Sequence, residues 1–172
     1  MQTSTETTQA PIIARPTLEN SVWYGSALLS FLATAEMTGG RYTLQRMRLG
    51  RGFAPPAPHQ HGPEDFYILR GQVRFWVADK EVVATEGDFV RTLPGVWHTL
   101  QVESDEAEFL LIFSPPGMEA FFRELSKPAE ALEPPAGRVG PPDPDRLRAA
   151  GAAYGIEFAP PGTTPRDMST LP

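Results

Sequence analysis

The stretch Pro58-His59-Gln60-His61-Gly62-Pro63-Glu64-Asp65-Phe66-Tyr67-Ile68-Leu69-Arg70-Gly71 decides how this chain is read. On an extended backbone alternate side chains share a face, so His59 and His61 point the same way and can converge on one ion. Beyond the Gly62-Pro63 turn the same alternation puts Glu64, Phe66 and Ile68 on one face and Asp65 and Tyr67 on the other. Glycine permits a tight bend and proline fixes its φ, so a two-residue connection can return the chain with Glu64 facing inward. The chain has only 3 histidines. The third, His98, lies 37 residues after His61, behind the turn Pro94-Gly95-Val96-Trp97 and at the head of another apolar run. An antiparallel barrel can lay that run beside the first. Three neutral imidazoles and one carboxylate then form a set suited to one divalent transition metal per chain: Fe, Mn, Ni, Co, Cu or Zn. The plainer alternative is three solvent-exposed loop histidines beside prolines.

Outward from this stretch, short apolar runs suit strands at 42–49, 65–69, 73–77, 81–84, 88–93, 99–102 and 109–113. Turn signals separate them, among them Gly39-Gly40, Gly71, Ala78-Asp79, Glu86-Gly87 and Pro94-Gly95. Short strands with turns every 8–12 residues or so predict an all-β sandwich or barrel rather than βαβ units. Helical spacing begins only afterwards. Met118, Phe121, Phe122 and Leu125 fall at i, i+3, i+4 and i+7, with Ser114 as the expected cap and Pro128 as the stop. A second short helix is expected near 143–154, with Asp143 at the N-cap, Pro144 at N1 and Gly155 at C′. The expected organisation is a flexible arm over 1–20, a barrel with its following helix over 21–127, and a Pro-rich tail over 128–172. Pro134 to Pro142 reads as a linker, and the last ten residues as disordered.

Composition bounds the function. The chain of 172 residues is long enough for one domain with a real core plus tails. With 15 Lys and Arg against 21 Asp and Glu, it carries a net charge of −6. An acidic chain without a basic cluster argues against nucleic acid and anionic membranes as partners. No apolar run approaches the roughly 18 residues of a spanning helix. Residues 1–10 lack the basic and apolar regions of a signal peptide. Cysteine is absent, which excludes disulfides, thiolate catalysis and cysteine-type zinc sites, and fits a cytoplasmic location.

Taken together, Gly52…His59-Gln60-His61…Glu64…Gly71 resembles the first cupin motif, and Gly87-Asp88-Phe89-Val90…Pro94-Gly95-Val96-Trp97-His98 resembles the second. The flanking Thr38-Gly39-Gly40-Arg41, Ser114-Pro115-Pro116-Gly117 and Tyr154-Gly155-Ile156-Glu157 are similar to those of small bacterial single-domain cupins of the quercetin 2,3-dioxygenase-like group. The resemblance covers about residues 20–160. It implies a double-stranded β-helix (jelly-roll) barrel with one or two short C-terminal helices, and a metal held by His59, His61, Glu64 and His98. Two departures stand out. The family usually places three or four residues between the second His and the Glu, where this chain has only Gly62 and Pro63. Leu93 also stands where proline is common.

In flavonol-cleaving members of the family, the resemblance implies, substrate binds the metal through a hydroxyl and the Glu accepts its proton. Glu64 is then either general base or plain ligand. The expected pocket is apolar. Phe66 and Ile68 share the Glu64 face, and Phe75, Trp76, Trp97, Phe109 and Phe113 are candidates of unfixed facing. Arg41, Arg46, Arg48, Arg51, Arg70, Arg74 and Arg91 read as solvated outer-face charges. Three functions remain open: a dioxygenase acting on an activated aromatic or enolic small molecule with O₂; a non-redox metal-assisted isomerase, cyclase or decarboxylase; and a small-molecule-binding accessory protein. A homodimer is expected, because a jelly roll leaves sheet edges. The arm at Ile12 and Ile13 and the Phe121/Phe122 helix are the candidate contacts.

Overall fold

A computed structural model describes residues 11–136 and 143–171. In chain order its strands are β1 (Ser21–Tyr24), β2 (Ala27–Ala33), β3 (Thr43–Gly50), β4 (His59–Gln60), β5 (Glu64–Arg70), β6 (Gln72–Val77), β7 (Lys80–Thr85), β8 (Phe89–Thr92), β9 (His98–Val102), β10 (Glu106–Phe113), β11 (Lys127–Pro128) and β12 (Glu157–Phe158). They form two antiparallel sheets, ordered β11-β1-β2-β3-β10-β5-β8 and β12-β4-β9-β6-β7. Neighbours distant in sequence, such as β3 beside β10 and β5 beside β8, are the crossovers of a jelly roll. Each strand expected from the sequence is present, with ends shifted by a residue or a few. β1 and β2 are additional. Ala27–Ala33 is buried on both faces over most of its length and shows no alternation to betray it.

Period-2 alternation sets the core. In β10, Phe109, Leu111 and Phe113 point inward, opposite Met47, Gln45 and Thr43 on β3 and opposite Ile68, Phe66 and Glu64 on β5. Each large apolar side chain buried this way contributes roughly 1.5–3 kcal/mol. The intervening residues face water. There Arg46 meets Glu108 at 2.5 Å, Arg48 meets Glu106 at 2.7 Å and Arg91 meets Asp65 at 2.7 Å. Exposed pairs of this kind contribute about 0–1 kcal/mol each, so they mark the outer face rather than hold the fold. Gly71 turns β5 into β6 at φ +85, where a Cβ would collide with the Glu106 carbonyl.

The helix α1 (Met118–Leu125) buries Met118, Phe121 and Phe122, as the stripe predicts. Its N-cap is Gly117, not Ser114, whose hydroxyl instead donates to the Arg41 carbonyl at 3.0 Å. Phe121 and Phe122 are 3% and 7% exposed, packed on Tyr24, so they offer no surface to a second subunit. Ile12 and Ile13 remain exposed. The helix α2 (Pro144–Ala153) is capped by the Asp143 carboxylate, which accepts from the Asp145 and Arg146 amides, and ends at Gly155 with φ +73.

The expectation of a disordered C-terminus is corrected. Pro165–Thr170 forms a 3₁₀-helix closed by a Thr164–Asp167 capping box, and Met168 is 2% exposed against Trp97 and Ala159. A tryptophan on the barrel surface supplies the apolar seat that the tail's own composition does not reveal. Residues 1–10 of the expected arm and 137–142 of the expected linker lie outside the described residues. Among the described residues no helix is long and apolar enough to cross a membrane.

Candidate metal centre

Three strands bring the four expected ligands together. β4 carries His59, which pairs directly with His98 at the start of β9. His61 follows β4, and Glu64 opens β5 opposite Thr92 and Phe113. The shortened Gly62-Pro63 turn keeps the register. Glu64 is 6% exposed and faces inward, while Asp65 faces out and takes both its hydrogen bonds from Arg91, at 2.7 and 2.9 Å. The ligand atoms of His59, His61, Glu64 and His98 all lie within 4.8 Å of one another.

Each histidine is oriented from behind. The Nδ1 atoms of His59, His61 and His98 sit 3.1, 2.8 and 2.8 Å from the carbonyls of Ala57, Gly62 and Val96. A carbonyl only accepts, so each Nδ1 carries the proton and each Nε2 keeps its lone pair. The Nε2 atoms of His61 and His98 then approach Glu64 Oε2 at 3.4 and 3.1 Å. Three acceptors aimed at one point repel unless a cation lies among them. Burial alone drives the Glu64 carboxyl up, but where a proton on the Nε2 of His61 or His98 supplies that positive charge, the resulting hydrogen bonds outweigh burial and hold the group well below the usual carboxylate range. Burial lowers the His61 pKa, yet the hydrogen bond and charge of Glu64 prevail and raise it. His59, buried and beside His98, is held down at about 3 and so stays neutral, as a ligand must be. Donors at roughly 2.0–2.3 Å from a shared ion lie at most about 4.6 Å apart, so a contraction of a few tenths of an ångström fits a divalent transition metal here.

A cavity of about 70 Å³ adjoins the four ligands. Phe66, Phe75 and Phe109 line it, as anticipated. Ile68, Trp97 and Phe113 do not, which corrects that part of the expected pocket. Ile68 lies deeper in the core, Phe113 sits behind His61 with ring centres 5.9 Å apart, and Trp97 turns outward to Met168. The remaining wall comes from elements the alternation around the motifs does not reach, chiefly Tyr24, Phe53, Phe121, Phe122 and Phe158. Phe158 stands 5.8 Å from the His59 ring because β12 pairs with β4. The only local signals for these residues are the Phe121/Phe122 stripe and the Tyr154-Gly155-Ile156 turn.

Comparison with known proteins agrees with this geometry. The cupin domain family model matches residues 43–113. Over 90 residues, 52% of this chain, the sequence is 30% identical to quercetin 2,3-dioxygenase of Bacillus subtilis. The match spans about a quarter of that protein's length, 25%. A Thermotoga maritima protein described as a predicted oxalate decarboxylase superposes with a TM-score of 0.54 at 23% identity over 60% of this chain. An RmlC-like cupin from Shewanella frigidimarina superposes with a TM-score of 0.54 at 18% identity over 66%. Both of those chains are covered to 99%, so about a third to two fifths of the present chain lies outside the shared fold. Residues 43–113 thus form a cupin domain, with a His59, His61, Glu64 and His98 group that could hold a metal ion at one end of its jelly roll.

Proposed function

We propose that this protein is a metal-dependent cupin enzyme and that its reaction is a dioxygenation of a small enolic or phenolic substrate. The observation that carries the reading is the convergence of three imidazole Nε2 atoms and one carboxylate on a buried point beside an aromatic cavity. The likeness to quercetin 2,3-dioxygenase gives it direction. A divalent redox-active ion held by His59, His61, Glu64 and His98 would polarise a substrate hydroxyl and supply the chemistry with dioxygen.

The chain's own residues do the rest. The carbonyls of Ala57, Gly62 and Val96 fix the three rings so that little reorganisation accompanies binding. Glu64 Oε2 accepts the hydroxyl proton, since it is ionised, buried and central among the ligands. Phe66, Phe75 and Phe109 keep water from the reacting carbon. The test is elemental analysis of the protein as isolated, followed by oxygen-electrode measurements with quercetin and simpler enols. One redox-active ion per chain and substrate-dependent O₂ uptake are expected. Turnover that continues under anaerobic conditions would replace this reading with a non-redox isomerase, cyclase or decarboxylase, and a chain isolated without metal would replace it with a binding protein.

A further inference from the structure

The cavity at the ligands is small. Its 70 Å³ equals about two waters, whereas pockets that enclose organic ligands run to roughly 300–1,000 Å³. It admits a reacting group and not the body of a ring substrate. Beside it lies an open groove of about 1110 Å³ between the 51–58 loop and the segment that runs from α2 through β12 to residue 165. The two spaces share seven lining residues, among them Tyr24, Phe53 and Phe158, which form the partition between groove and cavity.

One wall of the groove is built by the C-terminal segment, which lies beyond the matched cupin domain, and the facing wall by the 51–58 loop with Trp76 and β9. That segment is pinned at three points. β12 pairs with β4, Met168 seats on Trp97, and α2 presses so closely on Phe158 that a Cβ on Gly151 would come within 2.6 Å of the ring. The groove's chemistry differs from that of the chain. The protein carries 21 acidic residues and a net charge of −6, yet among the described residues no Asp or Glu lines the groove. Seven prolines and the rings of Tyr24, Phe53, Trp76 and Phe158 do, together with Arg51 and Arg148. Arg51 is paired with Asp105 at 2.8 Å. Arg148, exposed on α2, has no hydrogen-bond or ion-pair partner among the described residues. Flat apolar walls, an unpaired guanidinium and no carboxylate suit a planar organic anion.

We propose that this groove binds the non-reacting body of an aromatic or enolic carboxylate, its anionic group on Arg148 and its rings against the aromatic and proline walls, with the reacting end passed through the Phe53–Phe158 partition. This deepens the enzyme reading by naming its substrate class, and the binding test stands apart from turnover. The probes are 2-naphthoate and its uncharged isostere 2-naphthamide, titrated calorimetrically into the full chain as isolated, into Arg148→Glu and into His98→Ala. Naphthoate is expected to bind the parent and His98→Ala with similar affinity, and to bind Arg148→Glu about ten-fold or more weakly. Naphthamide is expected to bind more weakly than naphthoate and to be indifferent to Arg148→Glu. Naphthoate binding that survives Arg148→Glu, equal binding of the two probes, or no binding of either overturns the groove assignment. Loss of naphthoate binding in His98→Ala does so as well, because the probe would then sit on the metal. Failure of O₂ uptake with naphthoate binding intact overturns the reaction and leaves the groove.

Discussion

The inner cavity and the outer groove share a wall and have opposite chemistry. The first gathers three imidazoles and a carboxylate around a volume of about 70 Å³. The second offers about 1110 Å³ with, among the described residues, two arginines and no acid. The four polar groups of the first all lie in the matched cupin domain, whereas the second opens between that domain and the chain that follows it. On the proposed reading, holding an ion and recognising a molecule are separate problems here. Coordination needs a few donors fixed to tenths of an ångström, which paired strands provide. Recognition needs area and charge contrast, which an added segment can supply without disturbing the ligands.

If the two regions are independent, changes at the ligands must abolish metal and leave the barrel. His98→Ala removes the ligand furthest in sequence from the others, and we expect bound metal to fall from about one ion per chain to near zero. Circular dichroism is expected to stay that of the parent, because the apolar layers of β3, β5 and β10 do not include the ion. Unchanged metal content in His59→Ala, His61→Ala and His98→Ala alike would remove the inner site from the comparison.

Glu64→Gln separates ligand from base. Metal content is expected to drop less than for a lost histidine, while turnover falls roughly 10²-fold if Glu64 moves a proton. A metal-bound crystal structure with Glu64 turned to solvent and Asp65 on the ion would reverse the register argument.

The outer region is probed by Met168→Ala. Deleting this buried side chain is expected to cost about 2–3 kcal/mol in the stability of the C-terminal segment, seen as faster limited proteolysis after residue 158, with metal stoichiometry unchanged. Coupled loss of metal would show that the two regions act as one. Asp65→Asn sets the floor. Its carboxylate meets only Arg91 on the outer face, so thermal unfolding is expected to shift by no more than about 0.5 kcal/mol, with metal binding intact.

Much of the inner region was legible before any coordinates. Backbone geometry imposes a period of two on every strand. That alone places His59 with His61 and Glu64 with Phe66, and sends Asp65 outward. The glycines and prolines punctuate the strands because their φ values are special, and the Asp143-Pro144…Gly155 frame delimits α2 for the same reason. These are local constraints, and local sequence carries them.

The lining of the cavity was not legible in the same way. Phe66 and Phe109 reach it while Ile68 and Phe113 do not, although both pairs point inward, because depth along the barrel depends on which distant strands pair and where the end is closed. Phe158 and Met168 carry no periodic signal. Each acquires its position from a partner far off in sequence, β4 for Phe158 and Trp97 for Met168. The sequence alone determined the strand faces, through the alternation of the extended chain, and offered His59, His61, Glu64 and His98 as candidate ligands. The tertiary structure alone decided how the barrel end is covered and that a groove, without acids among its described residues, opens beside it, because non-local pairing and burial have no signature in the order of neighbouring residues.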